Sequence, residues 1–257
     1  MGHDDGRASG RWFHAGPQRP DATVRLYLFP HAGGSAASYA RWASLLPHDV
    51  EVRTTQLPGR QERRSETAFT RLDPLIEALY DEVEDDWDGR PFAFFGHSMG
   101  ALLSYRLTLA MEAEGGPSPA LLAVSGWAGV AHHPTDVPIA DMSDEEFTGE
   151  VEQFGGLPPE VLDDPEMRAL VLPALRADFQ VLNDYRHDAA PVRCPLVAYC
   201  GLSDPLLAGD AMATWSSLSP AFVGLTRFPG SHFYIYQHAS AIAADLGRHL
   251  RASAAKS

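Results

Sequence analysis

The chain has very little cysteine. Cys194 and Cys200 are the only two in 257 residues. Six positions apart on one extended segment, they would sit about 20 Å from each other, too far for a disulfide. No Cys/His cluster accompanies them, so they do not read as metal ligands; buried free thiols and a reducing, cytoplasmic setting are expected. Long apolar runs are also missing. No stretch approaches the roughly 20 residues of a membrane span. The first twenty residues, MGHDDGRASGRWFHAGPQRP, lack the apolar segment of a signal peptide and read as a flexible N-terminal arm. Positive charge is scarce: 20 Lys and Arg stand against 34 Asp and Glu, a formal net charge of −14. That surface repels phosphates, so nucleic acid is excluded as a partner, and no membrane partner is expected.

What is present suffices for a core. Hydrophobic residues make up 45% of the chain, and a chain of this length buries about three quarters of its unfolded surface. One domain is expected over 21–257. TVRLYLF (23–29), VEVRTTQ (50–56), PFAFF (91–95), ALLAVSGW (120–127), PLVAYC (195–200) and AFVGLTRF (221–228) read as strands. Helices are predicted at about 37–46, 73–86, 101–114, 209–217 and 235–250. This alternation implies an α/β fold: a mainly parallel central sheet with helices on both faces. Residues 128–190 break the rhythm. SDEEFTGEVEQFGG (143–156) and DPEMRALVLPALRADFQVLNDY (164–185) open on the N-cap residues Ser143 and Asp164. They read as a helical insertion, placed where a lid belongs.

The chemistry centres on residues 91–100, PFAFFGHSMG. An apolar strand runs into G-x-S-x-G and then into a helix, the context in which this motif presents a strained, exposed serine. Ser98 is the candidate nucleophile. A serine hydroxyl is a weak nucleophile at neutral pH and needs a base. Asp204, in GLSDP after the 195–200 strand, and His232, in PGSHF after the 221–228 strand, supply an acid and a base. The order Ser, Asp, His is that of the α/β-hydrolase fold. Right-handed crossovers bring all three loops to one sheet edge. The HAGG loop after the first strand offers the Ala32 amide as an oxyanion donor, and Met99 N–H is the second. His97 is expected to support the turn and His31 to lie near substrate. His238, Asp184, Asp188 and Asp210 are wrongly placed for the base or the acid. Trp127, Phe147, Phe154, Leu157, Leu172 and Phe179 are candidates for an acyl pocket. No metal or organic cofactor is required by this chemistry.

With these pieces placed, the chain resembles the type II, editing thioesterases of polyketide and nonribosomal peptide biosynthesis. The resemblance rests on LYLFPHAGGSAASYARW (26–42), QLPGRQER (56–63), FFGHSMGALLSYRL (94–107), LPALRADFQVLNDY (172–185), GLSDPL (201–206) and FPGSHFY (228–234). It implies an α/β-hydrolase with a helical lid over the acyl chamber. The implied activity is hydrolysis of acyl groups from the phosphopantetheine arm of acyl or peptidyl carrier proteins, clearing stalled or misloaded chains. The family's triad falls on Ser98, Asp204 and His232, and its oxyanion amides on Ala32 and Met99. A carboxylesterase or a cyclising thioesterase would share the same acyl-enzyme, and a non-catalytic binding protein on this scaffold is the remote alternative. A free-standing monomer is expected. Carrier proteins tend to be acidic, like this chain, so docking is expected on local basic or apolar surface. The Arg60 to Arg64 cluster is one candidate, with a solvated loop of internal ion pairs as its plainer reading.

Overall fold

The computed structural model of the chain describes residues 12–129, 139–207 and 209–254. Its centre is β4 (Phe92–His97), every residue of which is buried. A strand covered on both faces cannot alternate apolar with polar, which is why FAFF reads as an unbroken apolar run. Its side chains still alternate in direction. Phe92 and Phe94 join a core on one face with α2 (Leu72–Asp86) and α3 (Met99–Ala113). Ala93 and Phe95 join a core on the other face with α1 (Trp42–Leu45) and α8 (Ala239–Ala254).

Around β4 lie β1 (Phe13–Ala15), β2 (Val24–Phe29), β3 (Val50–Thr55), β5 (Leu121–Ser125), β6 (Leu196–Gly201) and β7 (Phe222–Phe228). The sheet order is β1-β3-β2-β4-β5-β6-β7, parallel except for β1. The chain winds outward from β2 to β3, then returns to β4 at β2's other side. The carboxyl ends of β2 and β4 therefore flank a switch point, where open α/β sheets place their sites. Between β5 and β6 the described chain is helical: α4 (Asp144–Glu152), α5 (Pro159–Leu162) and α6 (Pro165–Asp184). Ser143 and Asp164 cap α4 and α6 as their sequence positions predict.

The structure departs from the sequence reading in four places. Residues 12–20 are not a loose arm: Phe13–Ala15 pair antiparallel with β3, and Trp12 and Phe13 are buried. Two aromatic residues at the edge of an aromatic core are enough to tie the segment down, with Phe13 edge-on to Tyr27 at 5.0 Å; residues 1–11 lie outside the described residues. The helix expected at 37–46 is a 3₁₀ turn, Ala36–Tyr39, followed by α1, and that at 209–217 is 3₁₀ over Ala211–Ser217. The last helix is interrupted at His238, giving α7 (Tyr234–Gln237) before α8.

Candidate active site

The turn after β4 is where backbone meets backbone most closely. A Cβ on Gly96 would lie 2.0 Å from the Gly100 carbonyl oxygen, and one on Gly100 would lie 2.0 Å from that of Phe29. No side chain fits in either place. Between them Ser98 takes φ 55° and ψ −120°, a conformation that L-residues rarely adopt. Its amide donates to Ser125 O at 2.7 Å, locking the turn to β5. The strain directs the hydroxyl out at the strand end, at the amino terminus of α3, where partial positive charge gathers.

His232 and Asp204 arrive from the loops after β7 and β6. The two loops are joined: Leu202 N–H donates to Phe228 O at 2.8 Å, and Ser203 N–H to Gly230 O at 2.9 Å. His232 Nδ1 donates to Asp204 Oδ2 at 2.8 Å, with both residues buried. The other carboxylate oxygen accepts from Leu206 N–H at 3.0 Å. This fixes the imidazole with Nε2 free to accept a proton. Ser98 and His232 line one cavity. Among the described residues they share no hydrogen bond; catalytic contacts of this kind are often long in the absence of substrate.

The rival residues are engaged elsewhere. Asp188 pairs with Arg106, Asp210 with Arg227, and Asp184 accepts from Leu72 N–H at 2.9 Å. His238 donates to Pro229 O. His97 is fully buried; burial holds its imidazole well below the usual range, so it stays neutral. Its ring sits 4.9 Å from that of His232, and its Nδ1 contacts Ser125 Oγ at 2.8 Å, which in turn meets Tyr234 OH at 2.6 Å. His97 thus backs the His232 ring as well as the turn. His31 is also held neutral, its pKa pushed down to about 4 by burial. Its Nδ1 donates to Ala32 O at 2.8 Å and its Nε2 accepts from Tyr236 OH at 2.7 Å.

Among the described residues, neither the Ala32 nor the Met99 amide donates to a backbone carbonyl. Ala32 lines the cavity beside Ser98, and Met99 opens α3. The walls are largely apolar. Trp127, Phe154 and Phe179 line the cavity. Phe147, Leu157 and Leu172 are buried but off its wall. Phe147 instead packs edge-on to Phe179 at 5.4 Å, under the Arg176 guanidinium, and borders an adjoining cavity. Sequence reasoning missed Val151, Leu175, Leu182, Leu206 and Phe233. Leu175 and Leu182 stand four before and three after Phe179 on α6, a helical spacing that was available to find them. The Arg60 to Arg64 cluster is solvated only in part: Arg64 is exposed, but Arg60 and Arg63 are buried, Arg60 on Asp178 and Arg63 on Glu66 and Gln56 O. Among the described residues no His/Cys/Asp/Glu group could hold a metal.

Residues 24–250 match the family model described as thioesterase domain. The chain is 34% identical over 233 residues to the gramicidin S biosynthesis protein GrsT of Aneurinibacillus migulanus, covering 88% of this chain and 89% of that protein. It is 34% identical over 243 residues to thioesterase PikA5 of Streptomyces venezuelae, covering 94% and 86%. Among solved structures it is similar to BorB, the type II thioesterase of the borrelidin biosynthetic cluster. That match has 34% identity and a TM-score of 0.83, covering 93% of this chain and 97% of that one.

Proposed function

The chain belongs to the thioesterase family, and from that premise we propose that it removes acyl groups from the phosphopantetheine arms of carrier proteins, with Ser98, His232 and Asp204 as its triad. It is a thioester hydrolase of the α/β-hydrolase fold, and its relatives are type II thioesterases of polyketide and nonribosomal peptide pathways. The reading of substrate follows from those relatives. The reading of mechanism is carried by one observation: Ser98 and the buried His232–Asp204 pair face a common apolar cavity roofed by the helices between β5 and β6.

Ser98 Oγ attacks the thioester carbonyl, and its proton passes to His232 Nε2. The oxyanion is held by the Ala32 and Met99 amides, each worth about 3–4 kcal/mol to the transition state. Collapse breaks the C–S bond. The departing pantetheine sulfur is a good leaving group, since a thiol has a pKa of about 8.5, and it leaves with the proton from His232. Water then donates a proton to His232 and attacks the acyl-Ser98 ester, releasing free acid and restoring Ser98. Asp204 keeps the imidazole in the required tautomer throughout. The chain's own residues supply every group, so no cofactor is invoked beyond the pantetheine carried by the substrate. The protein acts in the cytoplasm, where such carriers are loaded; no described helix is long and apolar enough to cross a membrane. The test is hydrolysis of an acyl-carrier protein followed by mass spectrometry of the carrier. The parent chain returns free thiol and free acid, and Ser98→Ala leaves the acyl group in place; full turnover by that variant would refute the assignment.

A further inference from the structure

Outside the triad motifs GHSMG, GLSDP and PGSHF, the FPHAGG loop supplies the Ala32 amide and LPALRADF part of the cavity wall, whereas LPGR has no task yet. The structure brings these three together at one buried point. Arg60, from LPGR, donates through Nη1 and Nη2 to the two carboxylate oxygens of Asp178, from LPALRADF, each at 2.7 Å. Asp178 Oδ2 also accepts from Gly33 N–H, in the FPHAGG loop, at 2.7 Å. Arg60 Nη1 reaches Gly34 O of the same loop at 3.1 Å. Arg60 is 7% exposed and Asp178 2%, so the pair is largely shielded from solvent.

We propose that Asp178, held by Arg60, is a positioning residue for the oxyanion loop, so that the helix roofing the cavity sets the direction of the Ala32 amide. The inference rests on the assignment of Ala32 as an oxyanion donor. A peptide unit is planar, so fixing its oxygen fixes its N–H. Two such units flank the Ala32 Cα. In the first, His31 O accepts from Gly34 N–H at 2.9 Å, which leaves the Ala32 N–H pointing away from the loop. The second is held at both ends: Ala32 O accepts from His31 Nδ1 at 2.8 Å, and Gly33 N–H donates to Asp178. Gly33 has φ +73°, and a Cβ there would lie 2.8 Å from Leu175 Cδ1 on the same helix as Asp178. The loop is therefore seated on α6 by shape as well as by charge. Without Asp178 the Gly33 amide loses this acceptor, and the unit beside Ala32 is held only at its oxygen, by His31 Nδ1. Arg60 makes the arrangement possible, because a lone buried carboxylate would be far more costly than a paired one.

A buried ion pair can also be a plain structural feature, so the test separates the two roles. The double variant Arg60→Met/Asp178→Leu removes both charges at once and leaves no lone buried ion, a replacement that folds often tolerate. The expected result is a kcat lower by about 10²-fold, the scale of a misplacement near 1 Å, with KM little changed and slower fluorophosphonate labelling of Ser98. The pair Arg60→Met/Asp178→Asn returns an acceptor to Gly33 and is expected to recover most of that loss. An unchanged kcat in the Leu pair, or equal losses in the two pairs, overturns the inference. Hydrogen exchange on the parent chain is a second measurement that needs no variant. Phosphonylation of Ser98 is expected to slow exchange in residues 31–34 and in α6 together, and protection of the loop alone overturns the coupling. Ser98→Ala, run beside them, separates the two hypotheses: if it stays active the triad reading has failed, whereas an inactive Ser98→Ala with a fully active Leu pair counts against the clamp alone.

Discussion

Gly126 tests the placement of His232 without replacing any triad residue. It follows β5 with φ +62°, and a Cβ there would lie 2.6 Å from His97 Cε1, 3.0 Å from His97 Nδ1 and 3.3 Å from His232 Cε1. His97 has nowhere to go: it is 0% exposed and held by Ser125. Gly126→Ala therefore carries two costs. An L-residue in the left-handed region costs about 1–2 kcal/mol, and overpacking a tight core adds about 1–3 kcal/mol. The sum, roughly 2–5 kcal/mol, is within the 5–15 kcal/mol typical of a folded domain, so the variant folds with a Tm lower by roughly 10 °C. Relief of the clash must come partly through His232, and a shift under 1 Å lowers kcat by up to about 10²-fold. Gly115→Ala is the control. Its φ is +72°, but a Cβ there meets nothing within 4 Å. It carries only the backbone cost, a few degrees in Tm, with activity intact. The assays are differential scanning calorimetry and hydrolysis of a short acyl thioester with a thiol-trapping dye. Unchanged kcat/KM in Gly126→Ala, or an equal loss in Gly115→Ala, refutes the packing argument.

Three further outcomes are expected. Asp204→Asn keeps the shape of the loop but loses the carboxylate that holds the tautomer at 2.8 Å; kcat should fall by about 10⁴-fold with an unchanged circular dichroism spectrum, and a drop under tenfold would sink the role given to Asp204. His31 makes stability depend on pH: its pKa is about 4 when folded against an ordinary 6.5, so between these values the unfolded chain binds a proton that the folded chain refuses. Its stabilisation is full above pH 6.5 and is lost as pH falls towards 4, by at most about 3 kcal/mol. His31→Gln should flatten urea-unfolding free energy against pH over that window, and parallel slopes in variant and parent exclude the linkage. Phe179→Ala opens the cavity wall at a buried position; it should cost about 3–5 kcal/mol in stability and shift kcat/KM towards bulkier acyl chains, and an unaltered chain-length profile would remove Phe179 from the pocket.

The inner parallel strands β2, β4, β5 and β6 were legible because each is buried along its whole length, so the apolar runs at 24–29, 92–95, 121–124 and 196–200 are almost continuous. The chain order of Ser98, Asp204 and His232 needed only that each follow a strand. What stayed hidden depends on contacts far along the chain. Phe13–Ala15 is three residues long, with His14 and Ala15 exposed, so no period marks it as a strand. Arg60 and Arg63 read as solvated because charge in a sequence carries no partner with it. Arg60 finds its partner 118 positions away, at Asp178. Leu206 and Phe233 line the cavity only because the Asp204 and His232 loops converge.

The site holds three imidazoles in a row, with His31 and His97 rings 6.3 Å apart and His97 and His232 rings 4.9 Å apart. A proton taken from Ser98 must settle on one of them. Burial holds His97 neutral, and the charge on a protonated His232 opposes a second charge beside it. His31 has the Asp178 carboxylate near enough to favour its charged form, yet burial outweighs that attraction and keeps it neutral. Neutrality also suits its hydrogen bonds: Nδ1 must donate to Ala32 O while Nε2 accepts from Tyr236 OH, which imidazolium, a donor at both nitrogens, cannot do. Only His232 has a carboxylate in direct contact, Asp204 at 2.8 Å. Two histidines of GHSMG and FPHAGG thus act as neutral packing and hydrogen-bonding groups, and in the proposed mechanism only His232, with Asp204 against its Nδ1, is arranged to take the proton of Ser98.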